Sequence, residues 1–251
     1  MEAETPRRLL WQSCYNVRDL GGHRTSGGVE TRWRSLVRAD NLSRLKSSGW
    51  ERLLIYGIRT IIDLRSPREV TQELSPFVRD DSASGVDYLN VPVLTDVQYD
   101  AQPDEAPIDL QYQWFLSNLR SEMAAVITTV AQAPGAGLLF YCHSGKDRSG
   151  LVTALLLSLV DVSREDIAAD YALSAGYLQP IQDEWMRTGP GPRTAREVAA
   201  KRFTSDRATM VTTLRWLDLE YGGPEEYLRG AGVTNEDISR LRLRLLPPGT
   251  P

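Results

Sequence analysis

A chain of 251 residues, 41% hydrophobic and 25% charged, is long enough to bury a sizeable core and ordinary for a globular protein. Twenty-nine basic against 33 acidic residues give a net charge of −4 and a pI near 5.4, which argues against a general nucleic-acid binder but leaves room for a local basic pocket. Two cysteines, Cys14 and Cys142, make no disulfide framework; the opening MEAETPRR has no apolar signal core and the longest apolar run, 151–160, is too short for a bilayer, so a cytoplasmic chain without a membrane span is expected.

Residues 15–40 are rich in Gly, Arg and Asp and are broken by Gly21, Gly22, Gly27 and Gly28, which predicts hairpins or small strands. Leu45, Trp50, Leu53 and Leu54 fall at helical spacing, so 43–56 reads as a helix that Gly57 stops. The β-branched content of 58–64 predicts a strand. Ser66 and Pro67 then open a helix reaching Leu74. A strand is expected over 86–93, an exposed acidic loop over 98–107, and a helix over 110–133 closed by Pro134 and Gly135. The run GLLFY at 137–141 predicts a buried strand, followed by a loop at Cys142 and a helix to about Val160. Ser163 and Asp166 form a capping box for a helix over 166–178, and 187–194 reads as a loop. Helices follow over 195–221 and 234–246, the second opened by Thr234 and Asp237. Strands alternating with helices, then a helical last third, predict an α/β fold with an added helical part.

The segment GLLFYCHSGKDRSG, residues 137–150, carries most of the functional information. It places a thiol at the end of a buried strand, in a Gly-containing loop, before a helix. Loop amides and the helix dipole suit an anion there, and a thiolate is itself an anion. Cys142 reads as a nucleophile; Arg148, six positions on, can fold back and offer a bidentate fork to an oxyanion. Gly145 lets the backbone turn tightly, Ser149 can hydrogen-bond the thiolate, and Lys146 adds charge at the rim. Asp147 is the odd member, a carboxylate beside an anion site. The implied reaction is covalent phosphoryl transfer without a metal or other cofactor: His23 and His143 sit in no zinc-type spacing.

CHSGKDRSG resembles the signature loop of the cysteine-dependent protein tyrosine phosphatase superfamily. Its Lys–Asp–Arg form is similar to the bacterial tyrosine/serine branch typified by mycobacterial tyrosine phosphatase B. NVRDLGGHRT, LVRADNLSRL, GIRTIIDLRSPREV, ADYALS and EYLRGAGVT extend the likeness from about Tyr15 to Leu246. The resemblance implies one phosphatase domain over 15–246, a central mixed sheet flanked by helices, with residues 1–14 as an N-terminal extension and 247–251 as a disordered tail. It implies Cys142 as nucleophile, Arg148 as phosphate clamp, and the amides of His143, Ser144, Gly145, Lys146, Asp147 and Arg148 as cradle. Relatives usually carry His immediately before the cysteine, where this chain has Tyr141, which implies a less depressed thiol pKa, lower activity or an altered substrate. The general acid is either Asp96, with Asp100 nearby, or Asp147; Asp96 is slightly favoured. Basic residues at His143 and Lys146 fit a multiply phosphorylated or inositol-type substrate.

The expected ligand is a phosphorylated protein, phosphotyrosine by default with phosphoserine/threonine or a phosphoinositide as alternatives, or a small-molecule phosphomonoester, with phosphate or another oxyanion in the active site. The rival readings are a phosphatase for a small metabolite or nucleotide, a weakly catalytic phosphate-binding module, and a sulfur-transfer or arsenate-reducing thiol enzyme. Elsewhere, Arg18 and Asp19 read as a structural ion pair, and Asp63, Arg65, Arg38 and Asp40 as supports for the loop. Cys14 reads as a structural thiol, with a disulfide to Cys142 as the sharper alternative. His23 reads as a surface or loop residue, Tyr112, Trp114 and Phe115 as core or a lid, and Asp170 and Tyr171 as helix residues, with facing the site as the sharper alternative.

Overall fold

A computed structural model describes residues 7–79, 85–103, 105–135, 137–200 and 203–249. A five-stranded sheet organises the chain: β1 (Arg18–Asp19), β2 (Leu36–Ala39), β3 (Ile58–Asp63), β4 (Asp87–Asn90) and β5 (Gly137–Tyr141). Their spatial order is β1-β2-β5-β3-β4, with β1 antiparallel at one edge and the rest parallel. β5 lies in the middle, so its five residues are buried on both faces and the strand reads as an unbroken apolar run. The loop after the central strand of such a sheet opens at the C-terminal edge, where ligands bind.

Alternation along β5 divides the core. Leu138, Phe140 and Cys142 face one cluster, which α6 (Arg120–Gln132), α7 (Arg148–Ser158), α10 (Arg207–Tyr221) and α12 (Asn235–Leu245) help to fill. Leu139 and Tyr141 face a second cluster under α1 (Ser47–Tyr56), shared with Trp11 and Cys14. Residues 7–14 are woven into this second layer: Arg7 O accepts from Asp19 N at 2.9 Å, and Leu9 N donates to Val17 O at 3.0 Å. Thr250 and Pro251 of the expected tail lie outside the described residues.

Local chemistry sets most element ends. Gly57 takes φ +104° after α1, as its role as a stop requires. α2 (Pro67–Gln72) begins in a full capping box, Ser66 with Glu69, and the short α3 (Pro76–Arg79) follows it. Thr234 caps α12 by accepting from Asp237 N. Ser163 caps α8 (Arg164–Thr188) by accepting from Asp166 N, while the Asp166 carboxylate accepts from the Ser163 hydroxyl instead of a backbone N–H.

Several expected boundaries move. The helix over 110–133 is two helices, α5 (Ile108–Asn118) and α6, broken at Leu119. The start of the expected acidic loop belongs instead to a short helix, α4 (Asp96–Asp100), under a Thr95–Gln98 capping box; Asp104 lies outside the described residues. α8 runs through Gly176 and Pro180 to Thr188, far beyond 178, and α9 (Arg193–Ala200) starts inside the expected loop and ends before α10. An additional helix, α11 (Pro224–Gly230), precedes α12.

Candidate active site

The loop from Cys142 to Arg148 is turned inside out with respect to its carbonyls. Asn41 N donates to His143 O at 3.0 Å, Asn16 Nδ2 to Ser144 O at 2.9 Å, and Arg38 Nη2 to Gly145 O at 2.6 Å and Lys146 O at 3.2 Å. In a trans peptide the C=O and the next N–H point opposite ways, so each captured carbonyl aims an amide at the loop's interior. A ring of inward amides is an anion cradle. Gly145 sits at φ +65°, and a Cβ there would lie 2.4 Å from Ala39 O, so only glycine allows the loop to press against β2. Cys142 is 1% exposed at the base of this loop, and α7 begins at Arg148. Ser149 Oγ, buried in the first turn of α7, has no hydrogen-bond partner among the described residues.

Beneath the loop lies a buried ion network. Asp170 of α8 binds Arg18 Nε at 3.0 Å and Arg38 Nη1 at 2.9 Å, and Arg18 also bonds Asn16 Oδ1 and Ser174 Oγ. Burial alone would raise the Asp170 pKa; the two guanidiniums reverse this and hold it well below the usual carboxylate range. Burial, with Arg18 adjacent, lowers Arg38 to about 10. Arg18 therefore does not pair with Asp19. Adjacent residues on a strand point to opposite faces, and Asp19 instead accepts from Gly21 N, Arg34 N and Tyr56 Oη. Arg38 is a direct support of the loop, and Asp40 fixes the preceding chain by accepting from Tyr15 N and Asn16 N.

At the mouth, Arg148 meets Glu69 side by side: Nη1 to Oε2 at 2.6 Å and Nη2 to Oε1 at 2.7 Å. β3 and β5 are parallel neighbours, so the turns that follow them open together and α2 delivers Glu69 to the loop. Burial pushes the Glu69 pKa up, but the bonds from Arg148 and Ser66 N bring it below its ordinary value. Glu69, Glu73, Tyr99, Leu178 and Phe203 join the loop residues His143, Ser144 and 146–148 around a cleft of about 680 Å³. Lys146 is not a rim charge. It is 4% exposed, with Nζ 3.0 Å from Thr204 O and 3.4 Å from Asp147 Oδ1. Asp147 lines the cleft and accepts from Tyr112 Oη at 2.6 Å. Asp96 does not line it: Oδ1 accepts from Arg68 N at 3.0 Å in the first turn of α2, and Asp100 pairs with Arg68 at 2.9 Å.

The tyrosine phosphatase family pattern matches residues 9–247. The chain belongs to the tyrosine phosphatase family. A tyrosine-protein phosphatase of Nostoc commune is 32% identical, over 84% of this chain and 74% of its own length. The triple specificity protein phosphatase PtpB of Mycobacterium tuberculosis is 29% identical, over 93% of this chain and 97% of its own. A putative tyrosine-protein phosphatase of Cupriavidus necator is also 29% identical, over 93% of this chain and 86% of its own. The protein is thus a phosphoric monoester hydrolase.

In this phosphatase Tyr141 faces away from the loop. Its side chain lies on the sheet face opposite Cys142, with Oη 2.5 Å from Asp63 Oδ2 and 3.2 Å from Arg65 Nη2. Burial and the Asp63 charge hold its phenol well above the ordinary value. Asp63 and Arg65 thus brace Tyr141, and with Tyr88 they close the end of the sheet. Both cysteines are free thiols in separate core clusters; Cys14 Sγ bonds Asn41 O, and burial raises its pKa strongly. His23 is 3% exposed, not a surface residue, and burial lowers its pKa to about 4. Sequence reasoning passed over Glu69 and the role of Tyr112. Glu69 had a readable signal, Ser-Pro-Arg-Glu directly after a strand parallel to the one bearing Cys142. Tyr112 had none, because its partner lies 35 residues away.

Proposed function

We propose that the phosphatase works through a cysteinyl-phosphate intermediate on Cys142. The observation that carries this reading is the capture of four successive loop carbonyls from outside, which aims the amides inward above a buried thiol, with Arg148 at the rim. A guanidinium has five N–H donors; Glu69 takes one from each Nη, so the Nε edge of Arg148 can grip an oxyanion while Glu69 fixes the plane. The Cys142 thiolate attacks phosphorus in line and the bond to the leaving oxygen breaks, with charge on the equatorial oxygens held by Arg148 and the amides. Asp147 donates a proton to that oxygen. Water then attacks phosphorus, Asp147 takes its proton, the S–P bond breaks, and inorganic phosphate leaves. Asp147 is preferred to Asp96 because it lines the cleft. Ser149, whose hydroxyl has no partner among the described residues, stabilises the thiolate as it forms and as it is released.

The substrate is protein phosphotyrosine. Tyr99, Phe203 and Leu178 wall the cleft, Glu73 adds negative charge, and Lys146 is committed to Thr204 O and Asp147. An aryl phosphate suits such walls better than a polyphosphorylated inositol, which needs free cations. Cys142→Ser is expected to abolish hydrolysis of p-nitrophenyl phosphate while keeping vanadate affinity. Full activity in that variant would remove the covalent mechanism. A panel of phosphotyrosine peptides, phosphoinositides and nucleotide or sugar phosphates tests the substrate, and a preference for any of the others overturns it.

A further inference from the structure

The carboxylate of Asp147 is served from one side. Its Oδ1 accepts from Tyr112 Oη at 2.6 Å and lies 3.4 Å from Lys146 Nζ. Tyr112 Oη is in turn 2.8 Å from Tyr171 Oη. The two phenols come from α5 and α8, each is 1% exposed, and their rings meet edge to face with centroids 6.0 Å apart. A phenol has one proton. Tyr112 spends its proton on Asp147, so its oxygen must accept from Tyr171, and the chain runs in a fixed direction from Tyr171 through Tyr112 to Oδ1.

That direction has a chemical consequence. A free carboxyl carries its proton on either oxygen and rotates to suit. Here Oδ1 already accepts from Tyr112 and faces the Lys146 ammonium at 3.4 Å, and a proton placed on it would confront both. We propose that Tyr112 and Tyr171 are positioning residues that engage Oδ1 of Asp147, Tyr112 directly and Tyr171 through it, and reserve Oδ2 to carry the proton that the leaving group takes. The inference rests on the reading of Asp147 as general acid. Buried aromatic residues on two helices outside the loop thereby set which oxygen of the loop's carboxyl delivers the proton.

The test uses two leaving groups in the full-length protein. A nitrophenolate departs without needing a proton; unsubstituted phenolate needs one. Tyr112→Phe is expected to lower kcat by about 10-fold on phenyl phosphate and by less than about 2-fold on p-nitrophenyl phosphate, a part of the roughly 10²-fold or more that a general acid supplies. Tyr112→Phe combined with Asp147→Asn should be no slower on phenyl phosphate than Asp147→Asn alone, as residues acting through one group require. Equal losses on both substrates, or additive losses in the double variant, overturn the positioning role. If Asp147→Asn itself shows no dependence on the leaving group, the general-acid reading falls first and is identified as the failure. Should Tyr112→Phe not fold, Tyr171→Phe leaves the Tyr112–Asp147 bond in place, and a loss of about 3-fold confined to phenyl phosphate is expected. No loss, or a uniform one, overturns the chain of donors.

Discussion

Two ion networks hold the same loop and differ in what they leave available. The floor joins Asp170 to Arg18 and Arg38, with all three side chains at most 1% exposed. The mouth joins Glu69 to Arg148, each side chain 10% exposed at the edge of the cleft. Apart from Arg38 Nε, which has no partner among the described residues, the floor donors are aimed at protein: Asp170, Asn16, Ser174 or a loop carbonyl. At the mouth a guanidinium is fixed along one edge and open along the other. Burial is what divides the roles. A fully buried pair defines shape, because losing either partner strands a charge in a low dielectric, whereas a pair at the rim can share its cation with a ligand.

The largest effect should come from the floor. Asp170→Asn strands two guanidiniums and is expected to cost about 3–5 kcal/mol of unfolding free energy, measured by denaturant melts. Activity should fall with it, since Arg38 then loses its anchor beneath Gly145 and Lys146. A loss below about 1 kcal/mol would show that the floor is no keystone.

Next comes the acid response of the same region. The folded pKa of His23, about 4, lies below the ordinary 6.5. Its contribution is therefore fully present above pH 6.5 and is lost as pH falls toward 4, by up to about 3 kcal/mol. The depressed carboxyl of Asp170 has the same sign, in a window that opens below the ordinary carboxylate range. His23→Gln should flatten stability between pH 6.5 and 4 and leave the more acidic slope. A wild-type stability that stays level across that interval contradicts the buried neutral imidazole.

At the mouth, Glu69→Gln should lower unfolding free energy by only about 1–2 kcal/mol. It should lower kcat/KM about 10-fold or more, because Arg148 loses its fixed plane. If this variant loses as much stability as Asp170→Asn with unchanged kinetics, the division between floor and mouth is wrong. The smallest effect is expected of Tyr141→Phe. It removes a hydroxyl bonded to Asp63 and Arg65 on the opposite sheet face, for about 1–2 kcal/mol, and should leave the alkylation–pH profile of Cys142 where it was. A shifted profile would show that the residue before the cysteine reaches the thiol after all.

What the sequence disclosed was governed by distance along the chain. The strand, loop and helix around Cys142 lie within one short segment, and the caps at Gly57, Ser163 and Thr234 are signals of four residues or fewer. The break at Leu119 carries no Gly or Pro, so periodicity runs through it unmarked. α8 runs through Gly176 because its buried face, from Ile167 to Leu178, is held by packing, and it continues past Pro180 to Thr188. The ion pairs beneath the loop join residues more than 130 positions apart, and no local pattern announces them. Neighbouring Arg18 and Asp19 looked like a pair only until the strand turned them to opposite faces.

The outward capture of the loop carbonyls bears on how fast an anion is recognised. Asn16, Arg38 and the Asn41 amide hold the ring of donors in place by contacts that owe nothing to a guest. Under the proposed mechanism, an arriving oxyanion meets donors already held from outside the loop. The entropic cost of fitting falls mainly on the visitor, and the association rate is set by diffusion and by the orientation of the encounter.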